Sequence, residues 1–148
     1  MVFFNVCLYS LFLTEQGSVY SCGWSADGQT GLGHYHNTEQ ISKCIGDLEG
    51  ENIVKVSSSA DCVLALNGKL VFFYQAFLYI FEESISIDLK LIDDGKVFGW
   101  GNSEYNQLNL ATSEMQLHTP RHLPLSRIYG KIVDIATTGT SCLILNGN

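Results

Sequence analysis

Two stretches, GSVYSCGWSADGQTGLG at residues 17–33 and GKVFGWGNSEYNQLNL at residues 95–110, are one pattern written twice. Gly17 matches Gly95, Val19 matches Val97, Gly23 matches Gly101 and Gln29 matches Gln107, all at an offset of 78 residues. A second pair follows in the same order: IVKVSSSADCVLALNG from Ile53 returns as IVDIATTGTSCLILNG from Ile132, at an offset of 79. Self-similarity at a fixed period marks a repeat architecture, in which one unit cannot bury its apolar face without its neighbours.

The underlying period is shorter than 78. Leu13 precedes Gly17 closely, whereas its counterpart Leu66 stands far from Gly95, so the second copy carries an insertion of roughly 25 residues and the period is about 53. The expected organisation is a single unit over 1–148, with a first repeat at 10–66, an insert at 67–91 and a second repeat at 92–148. Within each copy the segments are short, β-branched and aromatic, and bounded by glycine, as buried strands are. Strands are expected near 18–22, 53–56, 62–66, 96–100, 132–136 and 141–145, with no long helical stripe between them.

The string G-x-V-Y/F-x-x-G, a loop like G-Q-x-G-L-G, then I-V-x-V and a closing L-x-L resembles the regulator of chromosome condensation repeat. The similarity is greatest to that family's mitochondrial branch, through CGWSADGQTGLGHY at 22–35 and FGWGNSEYNQL at 98–108. The resemblance implies an all-β fold, a partial β-propeller holding about two blades of a seven-bladed ring. It also implies a non-catalytic module for protein–protein interaction, serving guanine nucleotide exchange on a small or mitochondrial GTPase, and an intracellular, mitochondrial setting. No Arg-rich mitochondrial presequence is visible in the sequence. Where the family has a glycine and, three residues on, a histidine, this chain has Ser59 and Cys62 in one copy and Thr138 and Ser141 in the other, which puts blade geometry in question. The second copy also replaces loop glycines by Asn106, Asn109 and Leu110.

Seven blades at about 50 residues each need roughly 350 residues, so this chain cannot close such a ring. Two expectations stand beside each other: a fragment of a longer propeller, without independent function, or a divergent short protein that completes its ring by association. Residues 1–9 do not continue the repeat upstream. They are apolar and uncharged like the core of a signal peptide, but lack its basic start and small-residue cleavage site, so a strand remnant is the competing reading.

The insert opens with LVFFYQAFLYIF at 70–81, too short to span a membrane as a helix, which takes about 20 apolar residues. Strict alternation over 84–91 predicts a strand. Asn67-Gly68 is a hairpin signal that invites residues 69–73 back beside 62–66, while the repeat frame assigns that place to 96–100; the repeat frame is preferred, with the insert looping out.

Composition narrows the partners. The 148 residues carry only 8 Lys and Arg against 15 Asp and Glu, for a formal charge of −7, which argues against direct nucleic-acid binding. The expected partner is a protein, a small GTPase by resemblance, and no transmembrane span and no cofactor are expected. The five cysteines, at 7, 22, 44, 62 and 142, form no C-x-x-C and favour reduced thiols. His34 and His36, near Cys22 and Cys44, could be drawn as a zinc site, but such a pair in a loop is more often coincidence. Ser25, Asp27 and His34 lack a nucleophile elbow, and the glycines of 28–33 lack a P-loop lysine, so no catalytic residue is assigned. An enzyme built on a propeller scaffold is the competing class, without visible chemistry. Partner contacts are expected on the two loops that follow the matched strands, at Trp24 and Asp27 in the first copy and at Asn102, Glu104 and Tyr105 in the second.

Overall fold

A computed structural model describes residues 2–6, 8–60, 62–68, 70–79, 82–91, 95–108, 113–138 and 140–147. Twelve strands dominate it: β1 (Val2–Val6), β2 (Tyr9–Leu13), β3 (Val19–Gly23), β4 (Thr38–Lys43), β5 (Ile53–Ser58), β6 (Cys62–Asn67), β7 (Leu70–Tyr79), β8 (Glu82–Leu91), β9 (Val97–Asn102), β10 (Gln116–Leu123), β11 (Ile132–Thr137) and β12 (Cys142–Asn146). The only helical pieces among the described residues are a 3₁₀ turn at Gly46–Leu48 and a one-turn helix α1 at Ser126–Tyr129.

The strands form two four-stranded antiparallel sheets, ordered β1-β2-β3-β4 and β5-β6-β9-β10, and two-stranded pieces β11-β12 and β7-β8. The chain is thus a partial β-propeller of two full blades and the opening hairpin of a third. All six expected strands are present. Residues 2–6, which the repeat pattern left aside, supply the first strand of the first blade, pairing from Val2 opposite Leu13 to Val6 opposite Tyr9.

One sequence repeat is not one blade. Residues 17–66 provide β3 and β4 to the first sheet and β5 and β6 to the second, so each repeat straddles a seam and the covalent chain ties neighbouring blades together. At the seam, the Ile53 N–H donates to Gly17 O at 3.0 Å, directly joining the start of β5 to the turn before β3.

The expected insert leaves the second blade intact. β6 pairs with β9, Val63 opposite Trp100 and Leu66 opposite Val97, while β7 pairs with β8 from Leu70 opposite Leu91 to Tyr79 opposite Glu82. The hairpin invited by Asn67-Gly68 therefore does not form against β6. Asn67 instead donates its N–H to Lys96 O at 2.9 Å, and the Gly68 N–H donates to Asn52 O at 3.0 Å, holding both residues in the blade.

Strand composition follows position in the sheet. β6 is buried along its whole length, since β5 and β9 flank its edges and neighbouring blades cover it, which is why it is a continuous apolar run. The outer strands β4 (TEQISK) and β10 (QLHTPRHL) are mostly polar, and β10 tolerates Pro120 because an edge strand need not donate on its free side. One core runs through all three units, from Leu11, Leu13 and Val19 through Val56, Val63, Leu64 and Phe98 to Ile132 and Ile135.

The residues standing where the family has glycine and histidine close the blade hairpins by other means. The Ser59 N–H donates to Cys62 O at 3.0 Å and the Thr138 N–H donates to Ser141 O at 2.8 Å, the same bond at the same offset. The Cys62 N–H also donates to Ser59 Oγ at 3.3 Å, and the Tyr9 hydroxyl of the first blade donates to Ser59 O at 2.5 Å. Blade geometry survives the replacement because backbone groups, rather than the missing imidazole, carry the turn.

At the next seam Lys55 of β5 pairs with Asp134 of β11, and the Thr137 N–H donates to Ser57 Oγ at 3.0 Å. Partial burial by itself would raise the Asp134 carboxyl, but hydrogen bonds from Lys55 and the Ile135 N–H, with the Lys55 charge, outweigh it and hold the carboxyl below its ordinary value of 3.8. A carboxyl lowered on folding stabilises the fold above its unfolded value, and this stabilisation fades as pH falls through the lower folded one. Asp134→Asn is therefore expected to lower the urea midpoint slightly at neutral pH. The difference from the parent chain should shrink only below pH 3.8; a gap that persists unchanged in acid would show that the pair is not its source.

Candidate protein-interaction face

The loop after β3 is built around two buried polar side chains. Ser25 donates its N–H to Asn37 Oδ1 at 3.0 Å and shares a hydrogen bond with the Thr30 hydroxyl at 2.7 Å. The Gln29 side chain is closed in a ring with Asp27: the Asp27 N–H donates to Gln29 Oε1 at 3.0 Å, and Gln29 Nε2 donates to Asp27 Oδ2 at 3.1 Å and to Ala60 O at 3.4 Å. The Gly28 N–H donates to Ser25 O at 3.0 Å.

The loop after β9 repeats the backbone part of this construction, while Gln107 Nε2 is buried without the partners that Gln29 Nε2 has. The Tyr105 N–H donates to Gln107 Oε1 at 3.0 Å, the Asn106 N–H to Ser103 O at 2.8 Å and the Leu108 N–H to Ser103 Oγ at 2.9 Å. Asn106 takes φ of +61° where Gly28 has +83°, so asparagine serves the left-handed position in place of glycine. Asn109 and Leu110 lie outside the described residues. The matched glutamines were legible in the sequence. The matched serines, Ser25 and Ser103, were missed, although their offset of 78 was the available signal.

Gln116 at the start of β10 brings the two loops together. It pairs with Asn102 across the sheet and donates Nε2 to Asp27 Oδ1 at 2.6 Å. Asn102 in turn accepts the Glu104 N–H on Oδ1 at 2.7 Å. Asp27, Asn102, Glu104 and Tyr105 thus belong to one connected face, on which Glu104 is exposed and Tyr105 and Met115 are 63% and 69% exposed. Trp24 is half-buried at the base of its loop, its N–H donating to Leu8 O at 2.9 Å. Asp27, expected on a partner-contact loop, has both carboxylate oxygens hydrogen-bonded by amides of its own chain. Trp100 is fully buried and donates Nε1 to Gln29 O at 2.8 Å, tying β9 to the loop of the preceding blade.

The other weighed residues have structural partners. The Ser25 hydroxyl reaches the His34 backbone carbonyl at 3.4 Å rather than its ring. The His34 ring accepts the His36 N–H on Nδ1 at 3.2 Å. Cys44 donates to Thr30 O at 3.3 Å and is buried, and burial pushes its thiol up to about 12, so it packs as a protonated thiol. Cys7 lies outside the described residues. What the face offers a partner is an aromatic ring, a thioether and carboxylates on a rigid support, which suits non-covalent recognition.

Comparison with known proteins agrees with this construction. The sequence profile of the Regulator of chromosome condensation (RCC1) repeat matches residues 16–66 and 94–145. The RCC1-like G exchanging factor-like protein of Mus musculus is 46% identical over 138 residues, covering 93% of this chain and 24% of the relative. Its Homo sapiens counterpart is 44% identical over 139 residues, covering 94% and 24%. The crystal structure of human WBSCR16 superposes with a TM-score of 0.78 at 41% identity, covering 99% of this chain and 30% of that one. The chain spans about a quarter of the length of the curated relatives it matches. Among the described residues no helix is long and apolar enough to cross a membrane.

Proposed function

Because the chain belongs to the regulator of chromosome condensation repeat family, we propose that it is a non-catalytic β-propeller module whose connected loops bind a protein partner, a small or mitochondrial GTPase undergoing guanine nucleotide exchange. The kinship to RCC1-like G exchanging factor-like proteins supports the class of partner. The observation that carries the reading is the pair of loops that share a backbone construction and are joined through Gln116, which presents Glu104, Tyr105 and Met115 outward from the scaffold. The proposed setting is intracellular and mitochondrial, a reading supported by the family resemblance alone.

Exchange on such a surface requires no covalent chemistry. A partner that favours the nucleotide-free GTPase over the loaded form accelerates release through differential binding alone. Two blades present only part of the broad surface this requires. The isolated chain is therefore expected to leave fluorescent-nucleotide release from a Ran-type or dynamin-type mitochondrial GTPase at the no-protein rate. A longer protein carrying these residues should accelerate release, and Glu104→Lys with Tyr105→Ala should reduce that acceleration roughly tenfold, the scale of interface anchor residues. Full acceleration in the double variant would move the interaction to another face. Dose-dependent release by the isolated chain would show that two blades suffice.

A further inference from the structure

At the seam between the second blade and the β11-β12 hairpin, the first residues of β6 and β12 bring two thiols together: Cys62 Sγ and Cys142 Sγ are 3.6 Å apart. We propose that Cys62 and Cys142 are a reversible disulfide pair that locks this blade seam. A disulfide needs about 2.05 Å between sulfurs, a distance within reach of small rotations of two side chains that already touch. The neighbouring bonds fix the approach. Ser57 and Thr137 are hydrogen-bonded across the same seam and Lys55 is paired with Asp134, which joins β5 to β11, the strands paired with β6 and β12, so the two hairpins are docked before any covalent link forms.

Access is asymmetric. Cys62 is fully buried, whereas Cys142 is half-buried and lines a cavity of about 510 Å³ beside Leu64, Leu108, Leu125 and Leu143. A small peroxide entering this cavity meets Cys142 first. The small fraction of Cys142 that is ionised attacks one peroxide oxygen and the O–O bond breaks, leaving a sulfenic acid on Cys142 and a hydroxide that takes up the released thiol proton as one water. Cys62 sulfur then attacks Cys142 sulfur; the S–O bond breaks and the hydroxide leaves as the second water with the Cys62 proton. Two thiols and one hydrogen peroxide thus give one disulfide and two waters. A dithiol reductant reverses the link by exchange. The hydrogen bond with Cys62, and then burial, hold the Cys142 thiol above its ordinary value, so the pair stays reduced under mild oxidant and reacts slowly at neutral pH.

The link spans 80 residues of sequence and so removes much of the freedom of the unfolded chain between the two blades. The test is peptide mapping without reductant after hydrogen peroxide treatment in mildly alkaline buffer, beside a urea-denatured sample treated identically. The expected result is a Cys62–Cys142 peptide as the dominant cross-link of the folded chain. It should disappear with dithiothreitol and be replaced by a mixture of pairings in the denatured sample. Oxidation should raise the melting temperature by roughly 5 °C, and Cys142→Ser should abolish both the cross-link and the rise while leaving Cys62 a free thiol. The proposal is overturned if the Cys62–Cys142 peptide is no more abundant than in the denatured sample. It fails equally if Cys142 proceeds to sulfinic acid while Cys62 remains open to alkylation.

Discussion

Trp100→Ala is expected to destabilise the fold by about 4 kcal/mol, the scale of removing a fully buried large aromatic side chain. Trp100 is wholly enclosed in β9, opposite Val63 of β6. Its indole also supplies the 2.8 Å hydrogen bond to Gln29 O. Truncation therefore opens a cavity in one blade and strips a buried carbonyl of its partner in the loop of the other. Because whole domains are stable by only about 5–15 kcal/mol, the loss should be visible as a large fall in the urea midpoint. Trp100→Phe keeps most of the volume and forfeits the indole N–H, so it should cost about 1–2 kcal/mol. Equal losses in the two variants would assign the effect to the hydrogen bond and not to packing.

Gly95→Ala should be nearly as damaging, at about 3 kcal/mol, although it adds one methyl group. Gly95 has φ of +62°, and a Cβ there would stand 2.1 Å from Ile132 O, a backbone atom at the entry to β11. Neither partner can rotate away, so the seam between the second and third units has to open. Gly50→Ala is the control. Gly50 has φ of +80° with nothing within 4 Å of a built Cβ, so it carries only the left-handed penalty of about 1 kcal/mol. A melt in which the two variants lose the same stability would show that the Gly95 approach is relaxed in solution.

The parts of the fold legible in the sequence were those under symmetrical constraint. The strands β3, β5, β6, β9, β11 and β12 belong to the stretches written twice and keep apolar residues in phase, and all of them were expected within one or two residues. β4 and β10 escaped notice because a blade's outer edge faces solvent, so TEQISK and QLHTPRHL show no apolar alternation to detect. The loop face was legible in part. Its matched glutamines and the exposed Glu104 and Tyr105 could be picked out, whereas Gln116, which connects the loops, has no counterpart in the repeated strings. Asp27 was named for its place in the loop after the matched strand, and what the sequence does not display is that its carboxylate accepts hydrogen bonds from Gln29 and Gln116.

By itself the sequence determined the repeat, its strands, the family resemblance and the place of the second-copy strand, expected near 96–100, beyond the insert. These are properties of local pattern, carried by residues near one another in the chain. The tertiary structure alone decided which sheet each strand joins: one repeat divides between two blades, β6 reaches across β7 and β8 to pair with β9, and residues 2–6 complete the first blade. It also decided that Cys62 meets Cys142 and that Asp27 meets Gln116. The physical reason is that blade seams are contacts between segments distant in the chain, 50 residues for Tyr9 with Ser59 and 80 for Cys62 with Cys142. Their side chains repeat a pattern that is nearly the same in every copy, so the pattern specifies strands but leaves their partners to the packing of one blade upon the next.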